Sequence, residues 1–298
     1  MLEHPVTYAI AAFLSRSFPL PFSYWIGLRI ADAFYRSDAR GRRAVESNLR
    51  RILAHRGVEP AGDSVGGLVR KTYQHFGKYI VDFFRYSCAN HEELDGKVSI
   101  EHMEHLLGAL AEKRGVLAVT AHLGNWEMGG LMLSLLGHPV NAVYRPLGAR
   151  RLDRVFADQR ERRGVKLIPL GRAVRGVLAA LRRGEIAAVL ADRNFTENGG
   201  ATPFFGAPAR LPLGAAMLSL RTGAPIVPAF MIRQVDDRFL MRFHPPIRPE
   251  EEKTVEAIEA KIVAALEDSI GENPCQWFVF EDFWAAGAGA APAAEGRP

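Results

Sequence analysis

Residues 119–130 read VTAHLGNWEMGG. The stretch opens as the tail of an apolar run, residues 115–120, bounded by glycine before it and polar residues after it. That is the pattern of a buried strand. It closes as the start of an apolar helix running from about Asn125 to Leu136. Between them stand His122, Asn125, Trp126 and Glu127, where a plain turn would use Gly, Asn and Ser. If this is strand, turn, helix, then His122 lies just past the carboxyl end of a central strand. In open α/β sheets, that edge is where ligands bind.

The surrounding chain repeats the same alternation. Residues 98–100 read as a short strand and 101–113 as a helix. Residues 140–144 read as a strand, 151–163 as a charged helix and 166–169 as a strand. Residues 173–183 form a helix closed by Gly184, followed by strands at 186–191 and 224–232. Residues 239–243 alternate with basic residues, as an edge strand would. Val255, Ile258, Ile262, Val263, Leu266 and Ile270 make one more helical stripe. This predicts an α/β fold over residues 91–284, with a mostly parallel, mixed central sheet flanked by helices.

Residues 1–90 read differently. Phe22, Trp25, Ile26, Ile30, Ala33 and Phe34 recur at helical spacing, and so do Val69, Tyr73, Phe76, Ile80, Phe83 and Phe84. Seven arginines, from Arg29 to Arg51, lie around and after the first stripe. The apolar stretch 6–14 is too short to span a bilayer and lacks the basic lead of a signal peptide. It reads as a helix lying in one leaflet or as a helix packed on the body. With the basic segment after it, residues 1–90 form a helical, membrane-associating region. The tail 285–298, rich in Ala and Gly, has nothing to bury and reads as disordered.

The chain has 298 residues, 48% hydrophobic and 24% charged, which suffices for a large core. A net charge of +5 favours anionic partners without choosing among phosphates, lipid surfaces, acidic proteins and nucleic acid. Cys88 and Cys275 form no disulfide framework or metal-ligand spacing, and a reducing compartment is the simpler assumption. There is no GxxxxGK[ST] loop, no GxGxxG after a strand and no GxSxG elbow.

The chemistry of the turn follows from its residue types. Glu127 falls in the first turn of the helix, where a carboxylate is favoured. It is expected to accept a hydrogen bond from the imidazole of His122 and to support the imidazolium formed when the other nitrogen takes a proton. No serine or cysteine in the motif can serve as nucleophile. The pair therefore suits direct attack by a substrate hydroxyl on an activated acyl group, with His122 as general base.

His122-Leu123-Gly124-Asn125-Trp126-Glu127 resembles the H-x4-[DE] block of the lysophospholipid-type acyltransferases, and more narrowly that of the bacterial lipid A biosynthesis late acyltransferases. Val143-Tyr144-Arg145-Pro146 resembles their second block and Arg160-Glu161-Arg162-Arg163-Gly164 their arginine-rich stretch. Asp192 with Phe204-Phe205-Gly206-Ala207-Pro208-Ala209 resembles the third block. Thr222 to Pro228 resembles the fourth, and Asn273-Pro274 with Gln276-Trp277 the carboxyl-terminal block. The resemblance spans residues 5–284. It implies acyl transfer from acyl-carrier protein or coenzyme A to a hydroxyl of a membrane glycolipid, most simply a lipid A precursor. A phosphatidylinositol mannoside, a lysophospholipid or an aminolipid is the alternative acceptor. It further implies work at the cytoplasmic face of the inner membrane, with no metal, no cofactor and no nucleic acid.

His122 and Glu127 are then the catalytic candidates. Asn125, Tyr144, Arg145, Arg160, Arg163, Phe204, Phe205 and Gly206 are the substrate-binding candidates. Guanidinium forks suit phosphates, and Phe204-Phe205-Gly206 could line an acyl groove. The N–H of Gly206 or Gly124 is a candidate oxyanion donor.

Overall fold

A computed structural model of the chain describes residues 12–13, 15–58, 64–86, 89–146, 150–162, 164–194 and 199–284. Most of the apolar stretch 6–14, together with Cys88, Arg163 and the tail 285–298, lies outside the described residues.

The strands in chain order are β1 (Val98–Glu101), β2 (Val116–Thr120), β3 (Val140–Tyr144), β4 (Val165–Pro169), β5 (Ile186–Leu190), β6 (Gly199–Phe204), β7 (Ala207–Pro212), β8 (Ile226–Arg233) and β9 (Phe239–Phe243). Seven of them form one sheet in the order β1-β9-β8-β2-β5-β3-β4. Every neighbouring pair is parallel except β8 with β9. The α/β class and the mostly parallel sheet match the sequence reading.

Two assignments change. Residues 239–243 are not an edge strand, because β9 lies between β8 and β1. Its alternating basic residue is accommodated by its neighbours. Arg242 stands in register with Glu101 on β1, donates to its carboxylate at 2.9 Å, and reaches Glu272 at 3.0 Å. Second, residues 204–209, read as part of a site block, belong to an antiparallel hairpin of β6 and β7 that runs over 199–212. Phe205 and Gly206 turn it with φ of 48° and 71°, the left-handed pair that a two-residue hairpin turn requires.

The longer helices among the described residues are α1 (Leu20–Ser37), α2 (Ala39–His55), α3 (Ser64–Arg85), α4 (Met103–Ala111), α5 (Trp126–Leu135), α6 (Arg150–Arg162), α7 (Ala173–Arg182), α8 (Gly214–Thr222) and α9 (Val255–Glu272). Strand β2 shows how they sandwich the sheet. Its Val116 and Ala118 face Met128, Leu131 and Met132 of α5. Its Leu117 and Val119 join Val177 and Ala180 of α7, Ala215 and Ala216 of α8, and Ile258, Ile262 and Leu266 of α9. A strand buried on both faces needs no polar alternation, which is why 115–120 is apolar throughout. Each of its larger side chains contributes roughly 1.5–3 kcal/mol by leaving water.

The amino-terminal helices form a layer against this body. Helix α1 crosses α3 at Gly27 and Gly77, where a Cβ on Gly77 would stand 2.8 Å from the Gly27 carbonyl oxygen. Asn48 of α2 donates to the carbonyls of Val279 and Glu281 at 3.2 and 2.9 Å and accepts from the Phe283 N–H at 3.0 Å. This ties the layer to the carboxyl-terminal segment. The outer side of α1 shows Phe22, Trp25 and Ile30 to solvent, with Trp25 55% exposed. Among the described residues, no helix is long and apolar enough to cross a membrane.

Candidate active site

β2 and β5 are hydrogen-bonded neighbours in register, Thr120 opposite Leu190. Two residues beyond these ends, on the same sheet edge, stand His122 and Asp192. The Asp192 carboxylate accepts from His122 Nδ1 at 2.9 Å and from the His122 backbone N–H at 3.0 Å. It also accepts from the Trp277 indole N–H at 2.9 Å. A carboxylate only accepts, so Nδ1 carries the proton and Nε2 is left as the basic nitrogen. Asp192 is fully buried. Burial raises its pKa, but His122 and the converging hydrogen bonds outweigh burial and hold it below the ordinary value.

The turn that carries His122 is held on every side. Its carbonyl accepts from Phe278 N at 2.8 Å, Gly124 N donates to Gln276 O at 2.9 Å, and Asn125 N donates to Met231 O at 2.7 Å. Gly124 has φ of 62°, and a Cβ there would fall 2.0 Å from the Met231 carbonyl oxygen, so only glycine passes. Asn125 then caps α5, its side-chain oxygen accepting from Met128 N at 3.0 Å.

The expected hydrogen bond between His122 and Glu127 is replaced by the one to Asp192. Beyond Gly124 the chain bends into α5, and the Glu127 carboxylate turns to Arg160 of α6. Arg160 donates to it at 3.0 and 3.2 Å from Nε and at 2.6 Å from Nη2. Desolvation works against the Arg160 charge, but Glu127 more than offsets it and its pKa is raised. Glu127 therefore braces α5 against α6.

A cavity of about 520 Å³ opens beside the pair and is lined by His122, Trp126, Glu127, Tyr144, Arg145, Arg160, Arg193 and Asn194. From this polar mouth it continues as an apolar slot between α5 and the sheet. Ala142, Ala188 and Ala118 lie in one row across β3, β5 and β2, each opposite the next. Gly129 and Gly130 of α5 also line the slot. Small residues on both walls keep it open, while Leu133, Val140, Val165 and Met241 line it further along. A mostly apolar cavity with a few polar groups at one end is the usual form of a small-molecule site.

Of the ten sequence candidates, five line this cavity: His122, Glu127, Tyr144, Arg145 and Arg160. Asn125 lies behind the turn, buried, with its side-chain N–H₂ 3.4 Å from Asp82. Arg163 is outside the described residues. Phe204 and Phe205 are 0% and 2% exposed and belong to the core. Phe204 packs against Trp277, Phe283 and Trp284. The groove-lining expectation for them is thus corrected, because the hairpin turns both rings inward onto α9 and the carboxyl-terminal segment. Gly206 forms the hairpin turn beside His55. The Gly124 N–H is already spent on Gln276, so the oxyanion expectation does not hold for it.

Sequence reasoning missed Asp192 as the imidazole partner, and it missed Trp126, Arg193 and Asn194. Trp126 meets His122 edge-on at 5.2 Å and stacks on Tyr79 at 4.6 Å. A signal for Asp192 was present: an acid directly after an apolar strand, at the edge where His122 was already placed.

The family model for bacterial lipid A biosynthesis acyltransferases matches residues 2–285. The phosphatidylinositol mannoside acyltransferase of Mycolicibacterium smegmatis is 28% identical over 260 residues, covering 86% of this chain and 84% of that one. The lipid A biosynthesis palmitoleoyltransferase of Escherichia coli is 29% identical over 139 residues, 46% of this chain and 45% of that one. The crystal structure of the 1-acyl-sn-glycerophosphate acyltransferase PlsC from Thermotoga maritima overlays with a TM-score of 0.42 at 13% identity, over 85% of this chain and 99% of that one.

Proposed function

The chain belongs to the bacterial lipid A biosynthesis acyltransferase family and is an acyltransferase, and from that premise we propose that it moves a fatty acyl chain from a thioester to a hydroxyl of a membrane glycolipid, with His122 as general base. The observation that carries the reading is the His122–Asp192 pair in the wall of an apolar cavity. Nε2 of His122 takes the proton of the acceptor hydroxyl as its oxygen attacks the thioester carbonyl. Asp192 holds the ring in the tautomer that leaves Nε2 basic and stabilises the imidazolium. The tetrahedral intermediate expels the thiolate, which takes the proton back from Nε2. No group of the protein is acylated, so each turnover is one direct transfer.

The alanine row and the glycine pair suit a flexible alkyl chain, placed with its carbonyl toward His122. Tyr144, Arg145 and Arg193 at the mouth suit a phosphate-bearing partner, either the donor's pantetheine arm, on acyl-carrier protein or coenzyme A, or the acceptor's headgroup. Arg160 is engaged by Glu127 and serves to shape that mouth.

A lipid A precursor is the acceptor that the family model over residues 2–285 favours. A phosphatidylinositol mannoside is the second reading, favoured by the relative of that activity aligned over 86% of the chain. Lipid mass spectrometry of a deletion strain tests both. Loss of one acyl mass from lipid A supports the first, loss from a mannosylated phosphoinositide supports the second, and an unchanged glycolipid profile rejects the reading.

The enzyme works at the cytoplasmic leaflet of the inner membrane, seated by the outer side of α1. Phe22 stacks on Trp25 along that side at 5.8 Å, and Phe18, just before the helix, meets Phe22 at a tilt at 5.0 Å, with Arg29 one turn further along α1. Aromatics flanked by basic residues suit a headgroup boundary. Replacing Phe22 and Trp25 by alanine should weaken sedimentation with anionic vesicles by about 10-fold or more. Unchanged sedimentation would reject the seat.

A further inference from the structure

A cluster of buried charges lies behind the turn that carries His122. Asp82 of α3 is fully buried, and its carboxylate gathers donors from three different parts of the fold. Oδ1 accepts from the Tyr24 hydroxyl of α1 at 2.7 Å. Oδ2 accepts from Nη2 of Arg233, at the end of β8, and from the side-chain N–H₂ of Asn125 at 3.4 Å. Arg233 also donates to the Tyr24 hydroxyl at 3.0 Å and contacts Asp237 at 3.3 Å, and Asp237 takes Lys78 of α3 at 2.6 Å. The backbone of Arg233 is clamped by Gln276, N to Oε1 at 3.0 Å and O to Nε2 at 2.8 Å. The backbone carbonyl of the same Gln276 receives Gly124 N.

A core position filled by an ion pair is seldom more stable than one filled by apolar groups. Stability therefore gives little reason for this cluster, whereas its contact with the turn does. A carboxylate can only accept, so it dictates which end of the Asn125 amide faces it. With the N–H₂ turned to Asp82, the amide oxygen is left for Met128 N and caps α5. The first turn of that helix holds Trp126 edge-on to His122 and Glu127 on Arg160.

We propose that Asp82 is a positioning residue for acyl transfer, acting from the amino-terminal helical layer by orienting the Asn125 amide that caps the helix beside His122. The inference rests on the general-base reading above. Misplacing a base by a fraction of an ångström to an ångström lowers turnover steeply while leaving distant binding contacts in place. The same carboxylate bonds Tyr24 on the inner side of α1, whose outer side carries Phe22 and Trp25, so Asp82 links α1 to the catalytic turn.

The test measures kcat and KM by thiol release from palmitoyl-CoA, with a lipid A precursor and a phosphatidylinositol mannoside each supplied as acceptor, per mole of folded protein. Asp82→Asn should lower kcat by about 10- to 100-fold with KM changed less than about 3-fold. In an Asn125→Ser background the serine hydroxyl caps the helix without help from Asp82, and there Asp82→Asn should cost nothing further in kcat. An unchanged kcat in the single variant, or the same loss in both backgrounds, overturns the proposal. Should Asp82→Asn fail to fold, Asn125→Asp replaces the donor by an acceptor at one atom and keeps a good cap. It should show the same loss of kcat, and full activity there overturns the proposal as well. His122→Ala separates the two readings. If it retains activity the general-base reading fails, whereas if it is inactive while Asp82→Asn is fully active only the role of Asp82 fails.

Discussion

Two carboxylates stand beside one turn and serve different partners. Glu127 is five positions from His122 along the chain and binds Arg160. Asp192 is 70 positions away and binds the imidazole. The difference teaches that nearness in sequence is a poor guide across a glycine turn, whereas register between parallel strands is a good one. Thr120 and Leu190 are opposite each other, so residues two beyond each must meet. The same contrast separates Arg160 from Arg145. Arg160 is half-buried and braces Glu127, while Arg145 lies exposed at the cavity mouth.

Five measurements break or sharpen this comparison. His122→Ala removes the base and should lower kcat by about 10²–10⁴-fold, read in a single-turnover assay. A rate within 10-fold of wild type would remove the histidine from the mechanism. Asp192→Asn should come next, at about 10²–10³-fold, because an amide can present N–H to Nδ1 and push the ring's proton onto Nε2, where the base is needed. If Glu127→Gln were the more damaging of the two, the assignment of the imidazole partner would be reversed.

Arg160→Ala removes the three contacts that Arg160 makes with Glu127, which is 8% exposed. It should cost up to about 3 kcal/mol in denaturant unfolding and about 10-fold in kcat. Equal losses for Arg145→Ala would erase the distinction between brace and mouth. Ala188→Leu fills the middle of the alanine row, and should lower kcat/KM for long-chain relative to short-chain donors by about 10-fold. A uniform loss across chain lengths would place the acyl chain elsewhere.

The smallest effect concerns acid stability. The folded-state pKa of Asp192 lies below its ordinary value of 3.8. Its contribution is present in full above that value and is lost as pH falls below it toward the folded pKa. Asp192→Asn should therefore flatten the loss of stability below about pH 4, followed by unfolding monitored on tryptophan fluorescence. Parallel curves for the two proteins would mean that the carboxylate gains nothing from its donors.

Much of the frame was legible beforehand. Residues 115–120 are apolar at every position because β2 is covered on both faces, and α9 shows its stripe because only one side packs on the sheet. Strand β9 was misjudged because an arginine facing a glutamate across a ladder has the same local pattern as an arginine facing water. The β6–β7 hairpin was missed because Gly-Gly-Ala-Thr-Pro offers neither strand periodicity nor the usual Asn-Gly turn. Phe205 takes the left-handed conformation there, which that residue type does not announce.

The sequence by itself determined the class of fold and the position of His122 past a strand end. These depend on periodicity over a few neighbouring residues, which burial imposes locally. The tertiary structure decided which acid meets the imidazole, which aromatics line the cavity and which close the core. Strand order and register make those choices, and they arise from the packing of the whole sheet.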